Sequence, residues 1–248
     1  MAGEVIIWPK GFQLESLKFI TSQHTFIMSF INTVYITVVG TFISMILTLF
    51  LAYPLSKKNL IGRNILFIYV LFTMLFSGGL IPTYILIKKL GMMNSLWSLM
   101  LPNAISPFYV IIMINFFKSL PDSMEESAKI DGASNFRILL SIMIPLSMPS
   151  IAALTLFYAV GRWNGFFDAL IFIQSRNLYP LQLYLWMLLK SFQQSNLFNV
   201  GLLKQLSNRA PQTIQGAAVF VATVPILIVY PFLQRYFVKG VMIGAVKG

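Results

Sequence analysis

The chain has 248 residues, 57% of them hydrophobic and only 10% charged, with a mean hydropathy of +0.78. A soluble domain carries about 25% charged residues, so this composition belongs to lipid. The formal charge of +11 comes from basic residues spread between apolar runs, a pattern of loop anchors and not of a nucleic-acid surface. With no cysteine and one histidine, His24, disulfides, thiolate metal sites and histidine clusters are excluded.

Residues 1–27 read as a mixed, amphipathic extracytoplasmic segment, broken by Pro9 and Gly11. They have neither the basic start nor the apolar stretch of a secretory signal. Five apolar runs near the ~20 residues of a bilayer span follow. The first, 28–53, stops before Pro54 and leads into a basic loop with Lys57, Lys58 and Arg63. Its β-branched stretch from Thr33 to Val39 would favour a strand in water. In lipid a lone strand leaves its backbone unpaired, so a helix is expected.

The second run, 64–87, is interrupted by Ser77, Gly78, Gly79 and Pro82, and the third, 96–117, holds Pro102 and Pro107. The fourth, 148–173, carries Gly161, Arg162 and Asp168; the fifth spans 213–237. Between those two, residues 174–213 are rich in aromatics such as Tyr179, Tyr184 and Trp186. They read as an interfacial loop or short surface helix, either a lipid belt or a contact for a binding protein. No repeat or linker divides the chain. The expected fold is all-α, a polytopic membrane protein with one transmembrane domain over 28–240 and five transmembrane helices.

One polar stretch, 121–145, breaks the apolar sequence. It holds Asp122, Glu125, Glu126 and Asp131, four of the seven acidic residues. Pro121–Asp122–Ser123–Met124–Glu125 reads as a helix start, with Asp122 capping and Glu125 reaching back in a capping box. Gly132 reads as the stop, since glycine takes the left-handed conformation with little strain. Ser134 then caps a second helix carrying Phe136, Leu139, Leu140 and Met143. A short helix, a tight turn and a second helix between two spans make a docking element.

Enzymatic motifs are missing. No glycine is followed by lysine, so there is no phosphate-cradling P-loop, and neither G-x-S-x-G nor H-E-x-x-H occurs. The polar stretch instead resembles the signature of membrane subunits of binding-protein-dependent ABC importers: E-A-A, three residues, G, nine residues, then I-x-L-P. Here Glu126–Ser127–Ala128 is followed by a three-residue gap to Gly132, nine residues from Ala133 to Ser141, and Ile142–Met143–Ile144–Pro145. Ser127 replaces alanine and Ile144 replaces leucine, both small changes of size. The resemblance extends over nearly the whole chain. The segments 76–84, 157–164 and 177–185 are similar to the second permease of carbohydrate importers handling malto-oligosaccharides and longer oligosaccharides.

The resemblance implies the type I importer permease fold, with the polar stretch as a cytoplasmic coupling helix seated on an ATP-binding subunit. Glu125, Glu126, Ala128, Asp131, Gly132, Ala133, Arg137 and Pro145 are then the coupling residues. ATP and magnesium belong to two partner ATPase subunits, and this chain carries no cofactor. A second, non-identical permease and an extracytoplasmic sugar-binding lipoprotein complete the implied set, together with membrane lipid. Members of this group usually have one further N-terminal span, so the family's first span is expected to be absent here. The location is a bacterial cytoplasmic membrane, with coupling loop and C-terminus inside. Lys and Arg split almost evenly between the two sides, and favour that orientation only when 174–213 is set aside.

Arg162 stands inside a predicted span, where a charge is costly unless it faces protein or water. With Tyr158, Trp163, Asn164 and Asp168 it forms a candidate pathway or gate; the plain alternative is an arginine snorkelling to the outer headgroups. Counted as one helix, Arg162 lies roughly 25 Å from Pro145. Asp168, six residues on, falls on another face and is expected to pair elsewhere, with another chain as a candidate. Gly78, Gly79 and Pro82 are a candidate hinge, or simply packing. The reading is a carbohydrate importer permease that performs no bond chemistry. An importer of the same superfamily for amino acids or metals is the first alternative. An ion-coupled secondary transporter lacks the intramembrane acids it would need.

Overall fold

A computed structural model describes Lys18, residues 21–194, and further on 216–217, 219–225 and 227–228. Every regular element among the described residues is helical. The first, α1, runs from His24 to Ser56, 33 residues that carry the β-branched stretch as helix. Thr33 helps there, its hydroxyl donating back to the Ser29 carbonyl at 2.9 Å. Pro54 does not end α1 as its sequence position suggests. It sits inside the last turn, where the lost N–H costs one hydrogen bond and the helix stops two residues later.

The second predicted span is two helices, α2 (Arg63–Leu75) and α3 (Leu80–Lys89), set 112° apart. Gly79 makes the corner with a positive φ of 84°. The third is likewise divided, into a single turn α4 (Trp97–Met100) and the 13-residue α5 (Pro107–Ser119). Pro107 sets the restart: Ser106 before it is extended, with φ −97° and ψ 115°, and proline is favoured at a helix start.

The polar stretch forms α6 (Asp122–Ile130) and α7 (Asn135–Leu146). The fourth predicted span splits into α8 (Met148–Asn164) and α9 (Phe167–Phe172), separated at Gly165. A 3₁₀ turn at Arg176–Leu178 leads to α10 (Leu181–Gln194).

Five spans are therefore not seen as five straight helices. Among the described residues α1 alone is long and apolar enough to cross a bilayer, or up to three spans if α2–α3 and α7–α8 each count as one. Most of the fifth predicted span and most of residues 1–27 lie outside the described residues.

The core is built where α1 packs along α8 and α5. Met45, Leu49, Ala52 and Leu55 of α1 meet Val110, Met113, Ile114 and Phe117 of α5, with Ile138 and Met143 of α7 and Leu154 of α8 closing the cluster. A second cluster joins Phe26, Trp163, Leu181 and Leu185. Helix α10 is thus docked into the fold and does not merely lie on a surface: Leu181 and Leu183 are fully buried. Its start is fastened by Thr33, whose hydroxyl accepts from the Leu181 N–H at 2.7 Å. Asn32 alongside donates to the carbonyls of Asn177 and Tyr179.

Candidate functional site

The polar arm is held in shape by its turn. Gly132 has φ +76°, its N–H donates to the Lys129 carbonyl at 3.0 Å, and the Ala133 N–H donates to Ala128 at 2.9 Å. Those two bonds satisfy the orphan carbonyls at the end of α6 in a Schellman motif. Ser134 then caps α7, its hydroxyl accepting from the Arg137 N–H at 3.3 Å. Within α7 the stretch Leu139–Met143 is a π turn. The arm meets α8 at an 83° bend, so a helical rise from Pro145 to Arg162 cannot be counted as one straight rod.

The start of the arm differs from its sequence reading. Pro121 occupies the cap position, and neither Asp122 nor Glu125 makes a capping bond there. Glu125 is instead buried, 8% exposed, and forms an ion pair with Lys57 at the end of α1. The reason is tertiary: the Lys57 ammonium, 4.5 Å from the centre of the Tyr53 ring, offers a carboxylate more than a backbone N–H can. Lys129, four residues along, lies 4.0 Å from the other Glu125 oxygen. Burial, with the charge of Lys129 nearby, lowers Lys57 to about 8, while Asp122 pulls it upward.

The remaining predicted coupling residues face outward or partly so. Glu126, Asp131, Gly132, Arg137 and Pro145 are exposed, and Ala128 and Ala133 half-buried. Met124, Ile130 and Phe136 add exposed apolar surface to the same arm, Ile130 at 87%.

Arg162, near the other end of α8, is drawn inward and neither snorkels nor stands free. Its Nη2 donates to Ser44 Oγ at 2.7 Å and to the Met100 carbonyl at 3.2 Å, with the Asn103 carbonyl at 3.5 Å. Its Nη1 donates to the Leu99 carbonyl at 3.2 Å. A cation at the carbonyl end of α4 supplies donors that a helix C-terminus lacks. Gly40 of α1 makes room: a Cβ there would stand 2.8 Å from the guanidinium carbon.

Tyr158, one turn before, ties three elements. Its oxygen accepts from the Ser106 N–H at 3.0 Å and shares a hydroxyl–hydroxyl hydrogen bond with Thr48 Oγ1 at 2.9 Å. Trp163 points away into the second cluster and donates to the Ala222 carbonyl at 3.1 Å. Asn164 is exposed, its side-chain oxygen 3.5 Å from Gln182 Nε2. Asp168 accepts from Asn103 Nδ2 at 3.1 Å, a partner within this chain.

Tyr158, Arg162 and Asp168 share one cavity of about 310 Å3, and Trp163 and Asn164 are not among its lining. Gly78 and Gly79 stand at the α2–α3 corner with nothing within 4 Å of an added Cβ, and Pro82 lies in the first turn of α3. Lys57, Gly40, Ser44, Asn103 and Tyr109 were silent in the sequence reading. Lys57 is one basic residue among several, and the others carry no motif.

Comparison with known proteins bears on this arrangement. A family profile described as "Binding-protein-dependent transport system inner membrane component" matches residues 18–243. Protein LplC of Bacillus subtilis (strain 168) is 47% identical over 244 residues, covering 98% of this chain and 81% of its own. The polygalacturonan/rhamnogalacturonan transport system permease protein YtcP of the same organism is 43% identical over 247 residues, covering 98% and 85%. Among solved structures, a chain of a bacterial ABC transporter involved in import of the acidic polysaccharide alginate superposes with a TM-score of 0.87 at 32% identity, over 95% of this chain and 83% of that one. The capped arm and the α1–α5–α8 core thus sit in the fold of a solved ABC importer, and the chain belongs to the family of binding-protein-dependent transport system inner membrane components.

Proposed function

We propose that this chain is a permease subunit of an ATP-driven carbohydrate importer, lining the translocation pathway beside a second, non-identical permease. ATP and magnesium are held by two partner ATPase subunits, and the sugar arrives on an extracytoplasmic binding lipoprotein. The observation that carries the reading is the arm: a doubly capped pair of helices presenting Glu126, Asp131 and the apolar Ile130 and Phe136 outward, in a chain whose relatives are named for polysaccharide transport. Anionic groups and an apolar face suit a partner groove with basic rims, where charge-assisted bonds contribute about 1.5–3 kcal/mol each.

In this reading the arm and C-terminus face the cytoplasm of a bacterium, and ATP binding on the partners moves the arm and so α8. Co-purification with tagged ATPase subunits, together with uptake of labelled oligosaccharide, tests it. Gly132→Asp and Glu126→Lys should each abolish ATPase association and uptake. Intact association in both variants rejects the coupling role, and a binding protein that takes only amino acids rejects the carbohydrate.

A further inference from the structure

A second cavity, of about 680 Å3, lies where the ends of α1 and α5 meet α6 and α7. Its charged groups divide into those already committed and those that are not. Lys57 and Lys129 both serve Glu125. Lys58, Lys118 and Asp122 line the same cavity, are exposed, and stand in no ion pair among the described residues. Tyr53 lines it too; only 6% exposed, it has a hydroxyl without a hydrogen-bond partner among the described residues.

One side of the cavity is aromatic. Phe50 of α1 and Phe136 of α7 stack with centres 5.9 Å apart, and are 45% and 57% exposed. Leu47 and Phe42 carry this exposed apolar surface further along α1. At ~1.5 Å per residue the 33 residues of α1 reach on the order of 50 Å, against ~30 Å of bilayer hydrocarbon. The ends of α1 therefore stand at the level of the lipid headgroups.

We propose that this cavity seats a zwitterionic phospholipid with a primary ammonium, of the phosphatidylethanolamine kind. Its phosphate meets Lys58, Lys118 and the Tyr53 hydroxyl, its ammonium meets Asp122, and its acyl chains lie over Phe50 and Phe136. The inference needs only a membrane location, which the family supplies, and does not depend on the cargo.

The headgroup is selected by charge of both signs left unmet in one place. A phosphate alone would satisfy the lysines and repel Asp122, whereas a headgroup carrying both charges satisfies all three. A primary ammonium has three donors and bonds a carboxylate with charge assistance. A trimethylated ammonium has none, and a glycerol headgroup brings no cation. The volume falls within the ~300–1,000 Å3 of ligand sites. The aromatic side names the membrane as the source, because a soluble zwitterion has no chain to lay on it.

The test uses the complex purified from membranes with the subunits that accompany it, and counts retained lipid by native mass spectrometry. The probes are phosphatidylethanolamine, phosphatidylcholine and phosphatidylglycerol with the same dioleoyl chains, and water-soluble glycerophosphoethanolamine. The wild type should retain phosphatidylethanolamine over either other lipid by about tenfold, the weight of one charge-assisted bond. Asp122→Asn should lose that preference while still holding lipid. Lys58→Gln with Lys118→Gln should lower retention of phosphatidylethanolamine and phosphatidylcholine alike, about tenfold. Lys88→Gln with Lys89→Gln, which removes two exposed lysines at the end of α3, should change neither.

Equal retention of phosphatidylethanolamine and phosphatidylcholine by the wild type overturns the proposal without any variant. So does a preference that survives Asp122→Asn. Displacement of the lipid by an equal concentration of glycerophosphoethanolamine overturns it in favour of a soluble zwitterion. Lysine substitutions that release the ATPase subunits and leave lipid retention at the wild-type level assign the cavity to a protein partner, and overturn it too. Uptake of labelled oligosaccharide by the same wild-type complex reads the carbohydrate separately: its failure removes the sugar and leaves the lipid preference in place.

Discussion

Gly40 and Arg162 are fitted to each other: the bare Cα of one lies under the guanidinium of the other, and a Cβ at Gly40 would come within 2.8 Å of both Cζ and Nε. An arginine end is normally free to move aside. This one is pinned to Ser44, Leu99 and Met100, so Gly40→Ala must break those bonds or push the helices apart. A loss of about 1–3 kcal/mol is expected, read as a lowered thermal midpoint of the purified complex. Arg162→Lys should cost a similar amount, because an ammonium cannot span the same set of acceptors.

Tyr158 offers a smaller and more specific deletion. Removing its hydroxyl leaves the Ser106 N–H and the Thr48 hydroxyl without the partner that joins them, while the ring still fills the core. Tyr158→Phe should therefore destabilise by about 1–3 kcal/mol without preventing assembly. An unchanged thermal midpoint would show that water replaces the hydroxyl.

Glu125 and Glu126 are neighbours in sequence and opposites in setting. Glu125→Gln strands Lys57 partly buried and without a full charge to meet it, so it should lower the thermal midpoint by an amount worth about 1–3 kcal/mol. Glu126→Lys, on an exposed side chain, should leave the permease's own midpoint unchanged while abolishing ATPase association and uptake.

Lys57 adds a pH signature. Its folded value of about 8 lies below the ordinary 10.5, so folding penalises the charged form. That penalty is complete below about pH 8 and is relieved as pH rises from there toward 10.5, where the unfolded chain also discharges. The wild type should gain stability relative to Lys57→Met between pH 8 and 10. A wild type that loses stability relative to Lys57→Met over that range contradicts the assignment.

Gly132 separates conformation from space. A Cβ there would touch nothing within 4 Å, yet φ is +76°. Gly132→Ala should cost about 1–2 kcal/mol from backbone strain alone, and Gly132→Asn, a residue that tolerates the left-handed region, should recover part of it. Equal losses would mean that bulk, and not φ, is what the position resists.

What could be read beforehand divides along a physical line. The Gly132 stop and the Ser134 cap were legible because both are local, set by residues within a few positions. The fate of Glu125 was not, because its partner Lys57 lies 68 residues away and nothing in the spacing of Pro121–Glu125 announces it. Arg162 was recognisable as costly, but its acceptors are largely backbone carbonyls, which leave no trace in residue identity. Gly78 and Gly79 marked a weak point in an apolar run. That the chain turns by 112° there depends on what α3 packs against, which local propensity does not encode. The π turn in α7 carried no signal at all.

The caps and the Lys57–Glu125 pair have a consequence for assembly. They fix the arm in one conformation while the chain folds, so a docking partner does not bear the entropy of ordering it. A preorganised arm of this kind can bind through a small contact area. If the arm docks as proposed, a substitution at Lys57, outside the arm, weakens association without removing a contact, by returning to the arm the freedom that folding had taken away.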